Sequence, residues 1–127
     1  MPALLLLFLL LSPAWQARTR IRPPESITCD RNQLTAFSGT VTQWTRDDST
    51  ARLSMDTDAD TKESFTIRFD KRTPPEKSFL MGGEAFRSED WNKVEVSKGR
   101  LRPGIQATVW VCEGGANPVV DWRLPAK

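Results

Sequence analysis

Two cysteines, Cys29 and Cys112, bracket most of this 127-residue chain, and a bond between them ties its beginning to its end. Such a bridge closes a loop of about 84 residues and, in the chain-entropy account, is worth roughly 4–5 kcal/mol to the folded state. Any fold must then lay the segment around Cys29 beside the segment around Cys112. The separation is far from the two-residue spacing of a redox pair, so the bridge reads as a staple. Two free thiols are the competing reading, and the choice turns on the compartment, because paired cysteines persist where the surroundings are oxidising.

The compartment is read from the N-terminus. Ala3 to Leu11 is an unbroken apolar run, ALLLLFLLL, followed by Ser12-Pro13-Ala14 and Trp15-Gln16-Ala17. A run of this length matches the core of an export signal and is about half of what a helix needs to cross a bilayer. Cleavage fits after Ala14 or after Ala17. Small Ser12 lies two before Ala14, whereas bulky Trp15 lies two before Ala17, which favours Ala14. Arg18, Arg20 and Arg22 follow the apolar run and no Lys or Arg precedes it, the reverse of the usual charge balance; a start codon further upstream would restore that balance. Residues 1–17 are therefore read as a signal peptide, 18–35 as an extended leader tied on by the disulfide, and 36–127 as the folded domain. The expected location is secreted or periplasmic, with no membrane span once the signal is gone.

Chemistry is bounded by what is missing. The chain has no histidine and no tyrosine. Ser-His-Asp and Cys-His mechanisms and most catalytic zinc sites are thereby removed, and with them the side chain best suited to proton transfer near neutral pH. Net charge is +2, without a block of like charge that suggests a nucleic-acid arm or a polybasic membrane patch. No cofactor is expected, and an enzyme is disfavoured.

From Ala36 onward the residues alternate as strands do. Phe37, Gly39 and Val41 share one face; the register then slips to Trp44, and a glycine with a slip predicts a bend or bulge. Ala51, Leu53 and Met55 form the inner face of a second strand, and Phe65, Ile67 and Phe69 that of a third, joined by the acidic connection Asp56 to Glu63. Past Thr73-Pro74-Pro75 the pattern blurs. Ser88-Glu89-Asp90-Trp91 reads as a helix start, predicting a short helix near 88–95. Ile105 to Glu113 is a fourth strand, with Ile105, Ala107, Val109 and Val111 inside. Val119 to Leu124 is a fifth, with Val120, Trp122 and Leu124 inside.

Five strands, the first long and bent, with a short helix between the third and fourth, resemble the OB-fold, a five-stranded Greek-key barrel. The resemblance is one of element order over roughly residues 36–124. It implies a mainly β fold, a small barrel with one helical turn.

Candidate contacts are few. Asp56, Asp58 and Asp60 alternate as calcium ligands can, but Thr61 stands where an EF-hand needs glycine and Ile67 where it needs glutamate, so a solvated hairpin loop is the plainer reading. Trp122 belongs with Val120 in the core, Trp91 with the helix, and Trp110 under the leader that Cys29 pins beside Cys112. Trp44 alone lacks a core explanation and is a candidate ligand contact. Arg52 and Arg68, on the outer face of the second and third strands with Ser54, Ser64 and Thr66, can hold phosphate or carboxylate. No ring accompanies them, which disfavours nucleic acid. The expected function is that of an exported, monomeric binding module whose partner is a protein or a small ligand. The competing readings are a weak calcium-assisted hydrolase and an inhibitor or accessory subunit of a larger secreted protein.

Overall fold

The computed structural model describes residues 23–114 and 117–125; the signal peptide read over 1–17 and the first part of the leader lie outside them. The axis of the fold is β1 (Leu34–Arg46), which starts two residues before the predicted domain boundary. Its first half pairs with β8 (Gln106–Cys112), from Leu34↔Cys112 to Thr40↔Gln106. Its second half pairs with β2 (Thr50–Thr57), from Gly39↔Thr57 to Arg46↔Ala51. The strand changes partners at Gly39. A Cβ built there stands 2.0 Å from the Asp56 carbonyl oxygen and 2.7 Å from the Thr57 Cα, so only glycine lets β2 approach so closely. The register then shifts between Val41 and Gln43, the bulge that the sequence predicts.

β3 (Lys62–Arg68) extends the hairpin beyond β2, and β9 (Val119–Arg123) lies beyond β8. The segment where the alternation blurs adds β4 (Phe79–Met81) and β5 (Glu84–Ala85). β4 runs parallel to β9, with Phe79 opposite Val120 and Met81 opposite Trp122. The sheet order is β3-β2-β1-β8-β9-β4-β5. A separate ribbon joins β6 (Glu95–Ser97) to β7 (Arg100–Leu101), and one helical turn, α1 (Trp91–Val94), precedes it. The molecule is mainly β with one short helix, as predicted, but it does not close a five-stranded barrel: among the described residues seven strands form the main sheet and two the ribbon. Strands of two or three residues are too short to show a period of two, which is why they escape a reading by alternation. The sheet nevertheless curls, and Asn117, just before β9, exchanges two hydrogen bonds with the backbone of Arg68 at the end of β3.

One core fills the concave side. Leu53, Met55, Ile67, Phe79, Val94, Ile105, Val109, Val120 and Trp122 are each no more than 1% exposed. Leu124, predicted to face inward, is 45% exposed because β9 ends before it. At one end the aromatic rings meet: Trp122 stacks on Phe79 at 6.0 Å, Trp44 stands edge-on to Trp122 at 5.1 Å, and Trp91 of α1 packs on Phe79 at 4.9 Å and Phe86 at 4.7 Å. On the opposite face of the sheet, Leu80, Thr108 and Trp110 are also buried, apart from the main core. That face carries the disulfide. Cys29 is bonded to Cys112 with 6.1 Å between Cα atoms, and the Glu113 N–H bonds the Gln33 carbonyl at 2.8 Å, extending the β1–β8 ladder beside the bridge.

Candidate functional site

Of the three side chains that the sequence offers as ligand contacts, the structure brings two onto one face and removes the third. In β2 and β3, Arg52 pairs with Thr66, Ser54 with Ser64, and Thr50 with Arg68. β1 continues the same face, with Thr45 beside Arg52 and Gln43 beside Ser54. Gln43, Thr45, Arg52, Ser64, Thr66 and Arg68 are all exposed. Arg52 and Arg68 occupy diagonal positions across the strand pair, close enough for both guanidinium groups to meet one ligand surface, and neither joins an ion pair among the described residues. The Ser54 and Ser64 hydroxyls are hydrogen-bonded at 2.9 Å. A shallow cleft of about 460 Å³ lies over this row. Acidic residues flank the row without entering it: Asp47 and Asp48 precede β2, and Asp56 sits opposite Lys62 at its far end.

Trp44 is elsewhere. It is 7% exposed, and its indole N–H donates to Glu95 Oε2 at 2.7 Å. The bulge between Val41 and Gln43 turns it from the outer face to the inner one, which corrects its assignment as a surface contact. Phe65 also points inward, against Phe37 at 5.4 Å. The outer face therefore offers hydroxyls, an amide and two guanidinium groups, with Asp56 and Lys62 at its far end and no stacking ring.

The acidic hairpin is built for its own turn. β2 and β3 run further than the sequence suggests, so Asp56 and Glu63 are strand residues and the connection shrinks to 58–61. The Asp58 N–H bonds the Ser38 carbonyl, Asp60 takes a left-handed φ of 62°, and the Thr57 hydroxyl accepts the Thr61 N–H at 3.1 Å. Among the described residues no group of three or more Asp, Glu or Cys is placed to share a metal ion. Asp56, Asp58 and Asp60 do not converge. Asp47, at the opposite end of β2, accepts the N–H groups of Ser49 and Thr50, both at 2.8 Å, and these bonds hold its carboxyl below the ordinary aspartate range.

The residue that sequence reasoning missed is Glu95. The sequence places it at the end of the short helix predicted near 88–95 and gives it no role. In the structure Val94 ends α1 in the core, Glu95 is 4% exposed, and Val96 is 62% exposed. Besides Trp44, the Glu95 carboxylate accepts bonds from Arg46 Nε at 3.0 Å, Arg46 Nη2 at 2.5 Å and the Gly99 N–H at 3.0 Å. The Arg46 guanidinium also lies 3.9 Å over the Trp91 ring. Burial pushes the Glu95 carboxyl up, but the bonds from Arg46, Trp44 and Gly99, with the Arg46 charge, outweigh it and bring the group below the ordinary glutamate value. Four bonds from the protein engage this carboxylate, three on Oε2 and one on Oε1, so it locks α1 and the ribbon onto β1.

No family model, curated protein or solved structure matches this chain. Among the described residues no helix is long and apolar enough to cross a membrane.

Proposed function

We propose that this protein is an exported, non-catalytic binding module that docks the acidic surface of a partner protein on the outer face of β1, β2 and β3. One observation carries the reading: among the described residues Arg52 and Arg68 have no ionic partner, and they stand on an exposed row of Gln43, Thr45, Ser64 and Thr66 with Asp56 only at its far end. Guanidinium groups on a shallow face suit bidentate contact with carboxylates spread over a second surface better than enclosure of a small molecule. The disulfide supports the exported setting. The first strand pairs with both the second and the penultimate long strand, a Greek-key arrangement that supports the OB-like resemblance. The absence of a ring on the outer face argues against stacked bases.

The test is a cross-linking pull-down from the exported fraction of the source cell, using the oxidised protein and its R52E/R68E variant. One stoichiometric acidic partner, recovered with the unmodified protein and lost with the variant, is the expected result. Equal recovery by both proteins overturns the reading.

A further inference from the structure

We propose that the seam between β1 and β7 binds a phosphate-type oxyanion, held by Arg100 and Arg102 against the backbone that follows the β1 bulge. β8 stops pairing with β1 at Thr40, so among the described residues the strand from Thr42 to Arg46 is paired only on its β2 side. Hydrogen bonds along a strand point alternately to its two sides. The Asp47 N–H bonds the Thr50 carbonyl across the hairpin, so Trp44 and Arg46 turn their N–H and C=O groups the other way, into the seam. No strand among the described residues pairs with them there. Gly99 backs onto Arg46, where an added Cβ stands 3.5 Å from its carbonyl oxygen, and beyond it the seam opens into a groove of about 370 Å³.

The groove carries two guanidinium groups beside the backbone N–H and C=O groups of Trp44. Arg100 and Arg102 stand two apart on one extended segment, both exposed, with half-buried Leu101 between them. The Asn92 carbonyl accepts from Arg102 Nε at 2.9 Å, which fixes the guanidinium and leaves both amino groups for a ligand. Thr42 and Gln43 line the groove with them, and among the described residues no carboxylate does. The acids of adjoining segments are engaged: Glu95 by Trp44, Arg46 and Gly99, and Asp48 by Lys98. Two guanidinium forks without a counter-charge favour a tetrahedral group of nearly two negative charges over a single carboxylate. The site shares Gln43 with the outer-face row, but its arginines are different, since neither Arg52 nor Arg68 lines this groove.

The test is an NMR titration of the oxidised, isotope-labelled protein with inorganic phosphate, with ionic strength held constant by chloride. Saturable shifts at Thr42 to Trp44 and Gly99 to Gly104 are expected, weakened about tenfold or more by R100Q and by R102Q and unchanged by R52Q. Because R102Q also removes the bond to Asn92, R100Q, at an exposed side chain, serves as the variant that leaves the fold undisturbed. Co-sedimentation with phosphatidylcholine vesicles containing phosphatidic acid, abolished by R100Q, identifies a lipid phosphomonoester as the source. Binding of free phosphate without vesicle binding identifies a soluble one. Shifts that fail to saturate, that chloride reproduces, or that persist unchanged in R100Q overturn the proposal.

Discussion

On one face of the sheet a covalent bond joins Cys29 to Cys112, and at the aromatic end of the core a single carboxylate, Glu95, gathers Trp44, Arg46 and Gly99. Both fasten a segment outside the main sheet to β1 or its neighbour: the disulfide holds the leader beside β8, and Glu95 holds the end of α1 and the ribbon against β1. Their physics differ. The disulfide acts chiefly on the unfolded chain, removing conformations that an open chain visits. Glu95 acts in the folded state, where a charge withdrawn from water is tolerated because four hydrogen bonds and one guanidinium compensate it. The first survives acid and salt; the second depends on ionisation and on every donor remaining in place.

The largest effect that separates the two is loss of the bridge. C29S/C112S is expected to lower stability by about 4 kcal/mol while leaving the near-ultraviolet circular dichroism of the tryptophans intact, as read by urea titration and spectra of the folded form. Next is Glu95→Ala, which leaves Arg46 and the Trp44 N–H without their acceptor; a loss of about 3 kcal/mol is expected, this time with an altered aromatic spectrum. An unchanged spectrum in that variant would break the contrast. Gly39→Ala strikes the point where β1 passes between the two regions. With its Cβ 2.0 Å from a backbone oxygen and no flexible side chain to yield, a loss of about 2 kcal/mol is expected in the same titration.

Acid sharpens the comparison further. The Glu95 pKa is lowered in the folded state, so its contribution is complete above the unfolded-state value of about 4.3 and is lost as pH falls through the lower folded value. Thermal melting followed from pH 6 downward, in roughly half-unit steps, is expected to decline more steeply in the unmodified protein than in Glu95→Ala, whereas C29S/C112S should retain the unmodified protein's slope. The smallest effect is a null. Millimolar calcium is expected to leave the melting temperature unchanged, because Asp56, Asp58 and Asp60 do not converge.

The long strands were legible because they are amphipathic. Ala51-Leu53-Met55, Phe65-Ile67 and Ala107-Val109 each place their apolar residues on one face, and Gly39 with the slip toward Trp44 marked the bend. The bond between Cys29 and Cys112 was legible from the cysteine count and the expectation of an oxidising compartment. β4 to β7 were not, since two or three residues carry no period, and β4 is held by parallel pairing with β9, nearly forty residues away in sequence. The role of Trp44 failed for a related reason: the sequence shows that a slip occurs but not which side chains it turns inward. A faint signal for Glu95 did exist, in a lone acid between two valines just after a tryptophan-bearing turn. Its partners Trp44 and Arg46 lie about fifty residues earlier, so only the fold brings them together.

The division of β1 between two partners also sets a timetable. Gly39 to Arg46 can zip against β2 as soon as that neighbouring segment is available, a hairpin closed over a few residues. Leu34 to Ser38 must wait for residues 108–112, because their ladder spans the greater part of the polypeptide. A chain that becomes available from its N-terminus thus has half of its longest strand ready to assemble and the other half unmatched. Oxidation of the two sulfurs belongs at the close of that sequence, after nearly everything else has arrived.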